Sequence, residues 1–280
     1  MGNFWKRTVF GALFVIVVVG CIFMGGFYTA LMLAAVVLLA SSEVVSLYPV
    51  ENKKLFKTIV PAMSIMLYVF LACFSESPDS IEGRFFIAPI FFNIPLLIAL
   101  FSKKQDYVNV IGASWLSMIF VALPCGIMMM FYNESLMGTD NGSLLLVFTL
   151  LLIWVNDIFA YLTGSAIGSH KLFERISPKK TIEGSIGGAV FTMLFAYFIN
   201  RFVLNEFFFD NYLNDIQVLF LALGIVVFGT LGDLTESMMK RRAGVKDSGN
   251  LIPGHGGMLD RFDATFMAMP FVFIYLTLIN

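Results

Sequence analysis

Charge is scarce in this sequence of 280 residues: Asp, Glu, Lys and Arg together make 13%, against 59% apolar residues. A water-soluble domain carries about a quarter of its residues as charges to cover its surface, so that class is excluded and an integral membrane protein is implied. Cysteine is scarce too, and Cys21, Cys73 and Cys125 lie inside apolar stretches with no CxxC pair. This excludes a disulfide framework and a zinc cluster, leaving three small buried hydrophobes. An excess of positive charge is also missing: the formal net charge is −1, so no nucleic-acid partner is implied. Only two histidines occur, His170 and His255, and both fall in polar segments between apolar runs.

What is present is a series of apolar runs, each close to the roughly 20 residues that cross a bilayer as a helix. Nine are found, at about residues 8–25, 27–47, 55–74, 85–101, 107–132, 143–163, 185–203, 216–239 and 262–279. The fold class is therefore all-α, a polytopic membrane protein of about nine transmembrane helices. Only Gly25 and Gly26 separate the first two runs, so a re-entrant hairpin is the alternative there. Lys6-Arg7 ahead of the first run resembles the start of a signal peptide and is read as leading a retained span.

Positive residues stay on the cytoplasmic side of a membrane. With nine spans, Lys6, Arg7, Lys53, Lys54, Lys57, Lys103, Lys104, Lys171, Arg175, Lys179, Lys180, Lys240, Arg241, Arg242, Lys246 and Arg261 all fall on one side. Arg84 and Arg201 fall on the other, among acidic residues. This predicts a cytoplasmic amino terminus, an outside carboxyl terminus, and a multi-pass protein of the cytoplasmic membrane whose active site faces the cytoplasm. Residues 1–140 are expected to serve fold, lipid access and dimer contacts. Residues 141–280 are expected to hold the chemistry, with cytoplasmic loops at 164–184 and 240–261.

An ionisable residue within a span is costly and marks a pathway, a metal or a substrate. In the sixth run Asp157, Tyr161 and Gly164 share one helical face. The loop after it holds Lys171 and then Ser177-Pro178-Lys179-Lys180-Thr181, a Pro-fixed turn able to hold polyphosphate at a helix start; a plain positive anchor is the alternative. It is not a phosphate loop of the GxxxxGK[ST] kind. In the eighth run Asp233, Glu236, Ser237, Lys240 and Arg241 form a stripe at i, i+3, i+4, i+7 and i+8 that cannot face lipid. Lys246-Asp247 and Pro253-Gly254-His255-Gly256-Gly257 follow, the latter a tight segment able to cradle anionic oxygens. Asp260 and Asp263, one turn apart around Arg261, open the ninth run. Carboxylates from two helices flanked by cations suit Mg²⁺ with phosphates bound beside it.

These residues resemble the signature of the phosphatidate cytidylyltransferases, or CDP-diacylglycerol synthases, written S-x-x-K-R-x4-K-D, an apolar-P-x-H-G-G segment and D-R-x-D. Here it reads Ser237, Lys240-Arg241, Lys246-Asp247, Ile252-Pro253-Gly254-His255-Gly256-Gly257 and Asp260-Arg261-Phe262-Asp263. The likeness extends over the carboxyl-terminal half; the first half is similar only in hydropathy. One stretch departs: the family usually has a basic residue after the glycines of the loop following span six, where this chain has Ser165 and Ser169.

The resemblance implies transfer of cytidylyl from CTP to phosphatidate, giving CDP-diacylglycerol and pyrophosphate. It implies Asp233 and Asp260 as metal ligands, Mg²⁺ as activator with a second cation such as K⁺, and a homodimer. It gives Lys240, Arg241, Lys246 and Arg261 to phosphate neutralisation, Ser237, His255, Gly256 and Gly257 to phosphate positioning, and Lys179, Lys180 and Thr181 to the opposite wall. Asp157, Glu236, Asp247 and Asp263 are further ligands or their supports. The rival readings are a CTP-dependent lipid-alcohol kinase and, from another class, a cation-coupled transporter.

Overall fold

The computed structural model describes residues 3–50, 52–73, 88–101, 107–208, 212–249, 251 and 256–279. Apolar runs become helices here for a simple reason: in hydrocarbon a backbone must satisfy its own N–H and C=O groups. The helices are α1 (Asn3–Met24), α2 (Gly26–Leu47), α3 (Lys53–Ala72) and α4 (Ala88–Phe101), then α5 (Tyr107–Met130), α6 (Gly142–Ile167), α7 (Ile182–Phe207), α8 (Asp215–Arg242) and α9 (Leu259–Ile279). Each overlaps one predicted run, in order. Seven are long and apolar enough to cross a membrane, whereas the apolar stretches in α1 and α4, Thr8–Met24 and Ile90–Leu100, are shorter. Large apolar side chains such as Leu31, Val69, Phe198, Phe220 and Ile274 are exposed on the bundle surface, as a lipid-facing exterior requires.

The break between α1 and α2 rests on Gly25, whose φ of 110° is open to glycine and strained for other residues. α8 begins with a capping box in which Asn214 and Gln217 exchange hydrogen bonds of 2.9 Å. α9 packs against α8, α5, α2 and α6, and its Phe262 and Phe266 are among the largest fully buried side chains.

Loop 164–184 departs from the expected turn. Lys171–Phe173 (β1) and Ser177–Thr181 (β2) form an antiparallel hairpin, with Lys171 opposite Thr181, Phe173 opposite Ser177 and an irregularity between. The Ser177-Pro178-Lys179-Lys180 segment is thus a strand, and the chain turns before it. A two-stranded ribbon is all edge, so Pro178 costs no inner ladder bond. Thr181 then caps α7, its Oγ1 accepting from the Gly184 amide at 3.1 Å.

Candidate active site

The site is assembled where α8 packs against the start of α9. A Cβ on Gly232 would stand 3.1 Å from the Ala264 Cα and from the Met267 Cβ, so only glycine admits this contact without a shift. Asp263 is brought beside the α8 stripe as a result. Carboxylate oxygens of Asp233, Glu236 and Asp263 all lie within 4.8 Å of one another. Three carboxylates so close repel unless positive charge is placed among them. Lys180 supplies one such charge, its Nζ 2.5 Å from Asp233 Oδ2. Lys240 supplies another: it is ion-paired with the fully buried Glu236 and donates to Asp260 Oδ1 at 2.6 Å. Ser237 Oγ donates to Asp233 Oδ1 at 3.2 Å. A donor set of carboxylates and a hydroxyl, without sulfur or imidazole, fits a hard divalent cation such as Mg²⁺.

Asp260 has different surroundings. Its Oδ2 accepts from the Ser248 amide at 2.9 Å, from the Gly257 amide at 2.8 Å, and lies 2.9 Å from Ser248 Oγ. Gly256 makes this turn with φ 82°, and a Cβ there would come within 2.5 Å of Asp260 Oδ2. Asp233 and Asp260, paired as ligands by resemblance, therefore stand in two adjoining networks bridged by Lys240. The acids grouped with Asp233 are Glu236 and Asp263.

A cavity of about 490 Å³ opens beside Asp233, lined by Asp157, Tyr161, Gly164, Lys171, Lys179, Lys180 and Thr181 among others. The sequence stripe of Asp157, Tyr161 and Gly164 does share one wall, and Ser165 lines it as well. A second cavity of about 400 Å³ lies between α1, α6 and α9, walled by Phe10, Gly11, Phe14, Val15, Trp154 and Ile158 and ending on Asp260, Arg261 and Asp263. Asp157 borders both. Arg261 Nε is buried and has no hydrogen-bond partner among the described residues.

Other predicted residues stand apart. Arg241 Nε donates to the Ile176 carbonyl at 3.3 Å, fastening the end of α8 to the hairpin. Lys246 and Asp247 are exposed and line neither cavity. Ser177 is placed by its strand pairing with Phe173. Gly257 offers its amide to Asp260, and His255 lies outside the described residues. Three contributors were given no role by the sequence reading. Glu183 accepts from the Ser169 and His170 amides at 3.1 Å and holds His170 Nδ1 at 2.5 Å, closing the hairpin onto α7. Ser248 and Glu43 join the turn before α9. Glu43 carried a readable signal, since it is the one acidic or basic residue in the second apolar run.

A hard-cation donor set beside a lysine-lined cavity, sunk in an apolar bundle, suits chemistry on phosphate groups. The matched family narrows this: residues 5–279 fit the cytidylyltransferase family, and the chain belongs to it. A phosphatidate cytidylyltransferase of Staphylococcus haemolyticus is 32% identical over 275 residues, covering 96% of this chain and 98% of the relative. One of Haemophilus influenzae is 31% identical over 284 residues, covering 95% and 96%. One of Staphylococcus aureus reaches 42% over a shorter stretch of 151 residues, 54% of this chain and 55% of the relative.

Proposed function

We infer that this chain transfers the cytidylyl group of CTP to phosphatidate, forming CDP-diacylglycerol and pyrophosphate. Full-length similarity to phosphatidate cytidylyltransferases supports the reaction. The observation that carries the reading is the pair of cavities meeting at Asp157, one lined with lysines and one walled by apolar side chains. A nucleoside triphosphate suits the first and a phosphorylated lipid the second.

An oxygen of the phosphatidate monoester bonds to the α-phosphorus of CTP while the bond from that phosphorus to the oxygen bridging the β-phosphate breaks. Pyrophosphate leaves with the electron pair. The attacking phosphate is already anionic, so no base is required and catalysis rests on alignment and charge cancellation. Lys171, Lys179 and Lys180 bind the triphosphate as point charges. Arg261, which lines the apolar-walled cavity, holds the lipid phosphate. Asp233, Glu236 and Asp263 hold Mg²⁺, which when bound supplies positive charge beside the reacting phosphates. Asp260 orients Lys240 and the start of α9. Acyl chains lie between α1, α6 and α9, with the site open to the cytoplasmic side of the membrane, and the protein acts as a homodimer.

The test is pyrophosphate release by purified protein in detergent micelles with CTP and Mg²⁺, with and without phosphatidate. Phosphatidate-dependent pyrophosphate with CDP-diacylglycerol as co-product is the expected result. Release of CDP with phosphorylation of an added lipid alcohol would replace this reading with a kinase.

A further inference from the structure

Glu43 belongs to α2, far in sequence from the acidic cluster, yet its carboxylate is built into the turn that starts α9. Oε1 accepts from the Met258 amide at 2.9 Å and Oε2 from the Leu259 amide at 2.8 Å. Oε2 also stands 2.9 Å from Ser248 Oγ, the same hydroxyl that stands 2.9 Å from Asp260 Oδ2. A hydroxyl has one proton, so Ser248 shares it between the two carboxylates. Two glycines make room for the group: a Cβ on Gly249 would come within 2.5 Å of Glu43 Oε1, and a Cβ on Gly257 would run into both Glu43 oxygens.

The first amides of a helix have no partner within it and carry its positive end. Most helices meet this need with a neighbouring side chain in sequence. α9 meets it with a carboxylate from another helix, so its first turn is tied to α2. The next link is Asp260, whose Oδ2 is fixed by Ser248 and the Gly257 amide and whose Oδ1 draws Lys240. Lys240 in turn neutralises Glu236, a member of the carboxylate cluster.

We propose that Glu43 is a positioning residue for cytidylyl transfer, acting through Ser248 and Asp260 to set Lys240 and the cation-binding acids at the start of α9. The proposal rests on the transferase reading above and assigns a role in the chemistry to the amino-terminal half. It predicts that Glu43 governs turnover and cation use, not substrate capture, because it borders neither cavity.

The experiment measures phosphatidate-dependent pyrophosphate release by wild type, Glu43→Gln, Ser248→Ala and the double variant, titrating CTP, phosphatidate and Mg²⁺ separately. Removing a residue that orients a ligand typically costs about 10–100-fold in activity or metal affinity. Glu43→Gln is expected to lower kcat about tenfold or more and to raise the half-saturating Mg²⁺ concentration, with KM for both substrates within about twofold of wild type. The double variant is expected to lose less than the product of the two single losses, since both act on one network. Wild-type kcat and Mg²⁺ dependence in folded Glu43→Gln would overturn the proposal. If Glu43→Gln does not fold, Ser248→Ala decides: lowered kcat with raised Mg²⁺ demand supports the chain of contacts, and unchanged values overturn it. Absence of pyrophosphate from wild type would instead strike the transferase reading itself.

Discussion

At the residue scale the acids divide into two kinds by their partners. Asp263 stands with Asp233 and Glu236, while Asp260 is engaged by Lys240, Ser248 and Gly257. Asp263→Asn keeps the side-chain volume and removes one charged oxygen donor. It is expected to raise the half-saturating Mg²⁺ concentration at least about tenfold in the pyrophosphate assay while leaving the thermal midpoint close to wild type. An unchanged Mg²⁺ titration would remove Asp263 from the cation site. Much of this site was legible: a stripe of Asp233, Glu236, Ser237 and Lys240 at helical spacing cannot face lipid, and its members are joined by hydrogen bonds and ion pairs inside the bundle. The division between Asp260 and Asp263 was not legible. Spacing places both at the start of one helix, but which carboxylate is captured by the Gly257 amide depends on the path of the preceding loop. The pairing of Lys180 with Asp233 was hidden for the same reason, since it joins a hairpin to a helix distant in sequence.

At the scale of elements, the wall of the lysine-lined cavity depends on how closely α7 lies on α6. Gly184, Gly187 and Gly188 face α6, and a Cβ on Gly188 would stand 2.7 Å from Asn156 Oδ1 and 3.0 Å from the Ala160 Cβ. Small residues at such positions let helix backbones meet without side-chain bulk between them. Gly188→Val is expected to push α7 away from Asp157, lowering the yield of folded protein and raising KM for CTP several-fold in what remains. Size exclusion and initial-rate kinetics check the two effects. Thr181→Ala, which removes the cap and one hydroxyl from the cavity wall, is expected to cost about 1 kcal/mol of α7 stability and to lower the thermal midpoint with a milder effect on KM. The helices were legible because apolar length is a strong signal. The hairpin was not, because strands of three and five residues, the second polar with a proline inside, carry no clear alternation.

For the whole molecule, the nine-span reading and the segregation of basic residues predict which face meets the cytoplasm. Asp140, between α5 and α6, and Glu174, at the hairpin tip, are both exposed and lie on opposite sides in that reading. In intact cells a membrane-impermeant maleimide is expected to label Asp140→Cys and to reach Glu174→Cys only after the membrane is opened. The reverse pattern would invert the protein in the membrane. The order of the apolar helices was legible, and residues 1–140 were expected to serve fold, lipid access and dimer contacts while residues 141–280 held the chemistry. α1 walls the second cavity and α2 lends Glu43 to the turn before α9, so the halves share one centre.

The meeting of the two cavities at Asp157 bears on how the enzyme resets. In the proposed reaction the lipid product would lie across both spaces, its nucleotide in one and its tails in the other. Pyrophosphate would leave by water, and a fresh nucleotide would bind once the lipid had slid back between the helices, an exchange in the plane of the bilayer.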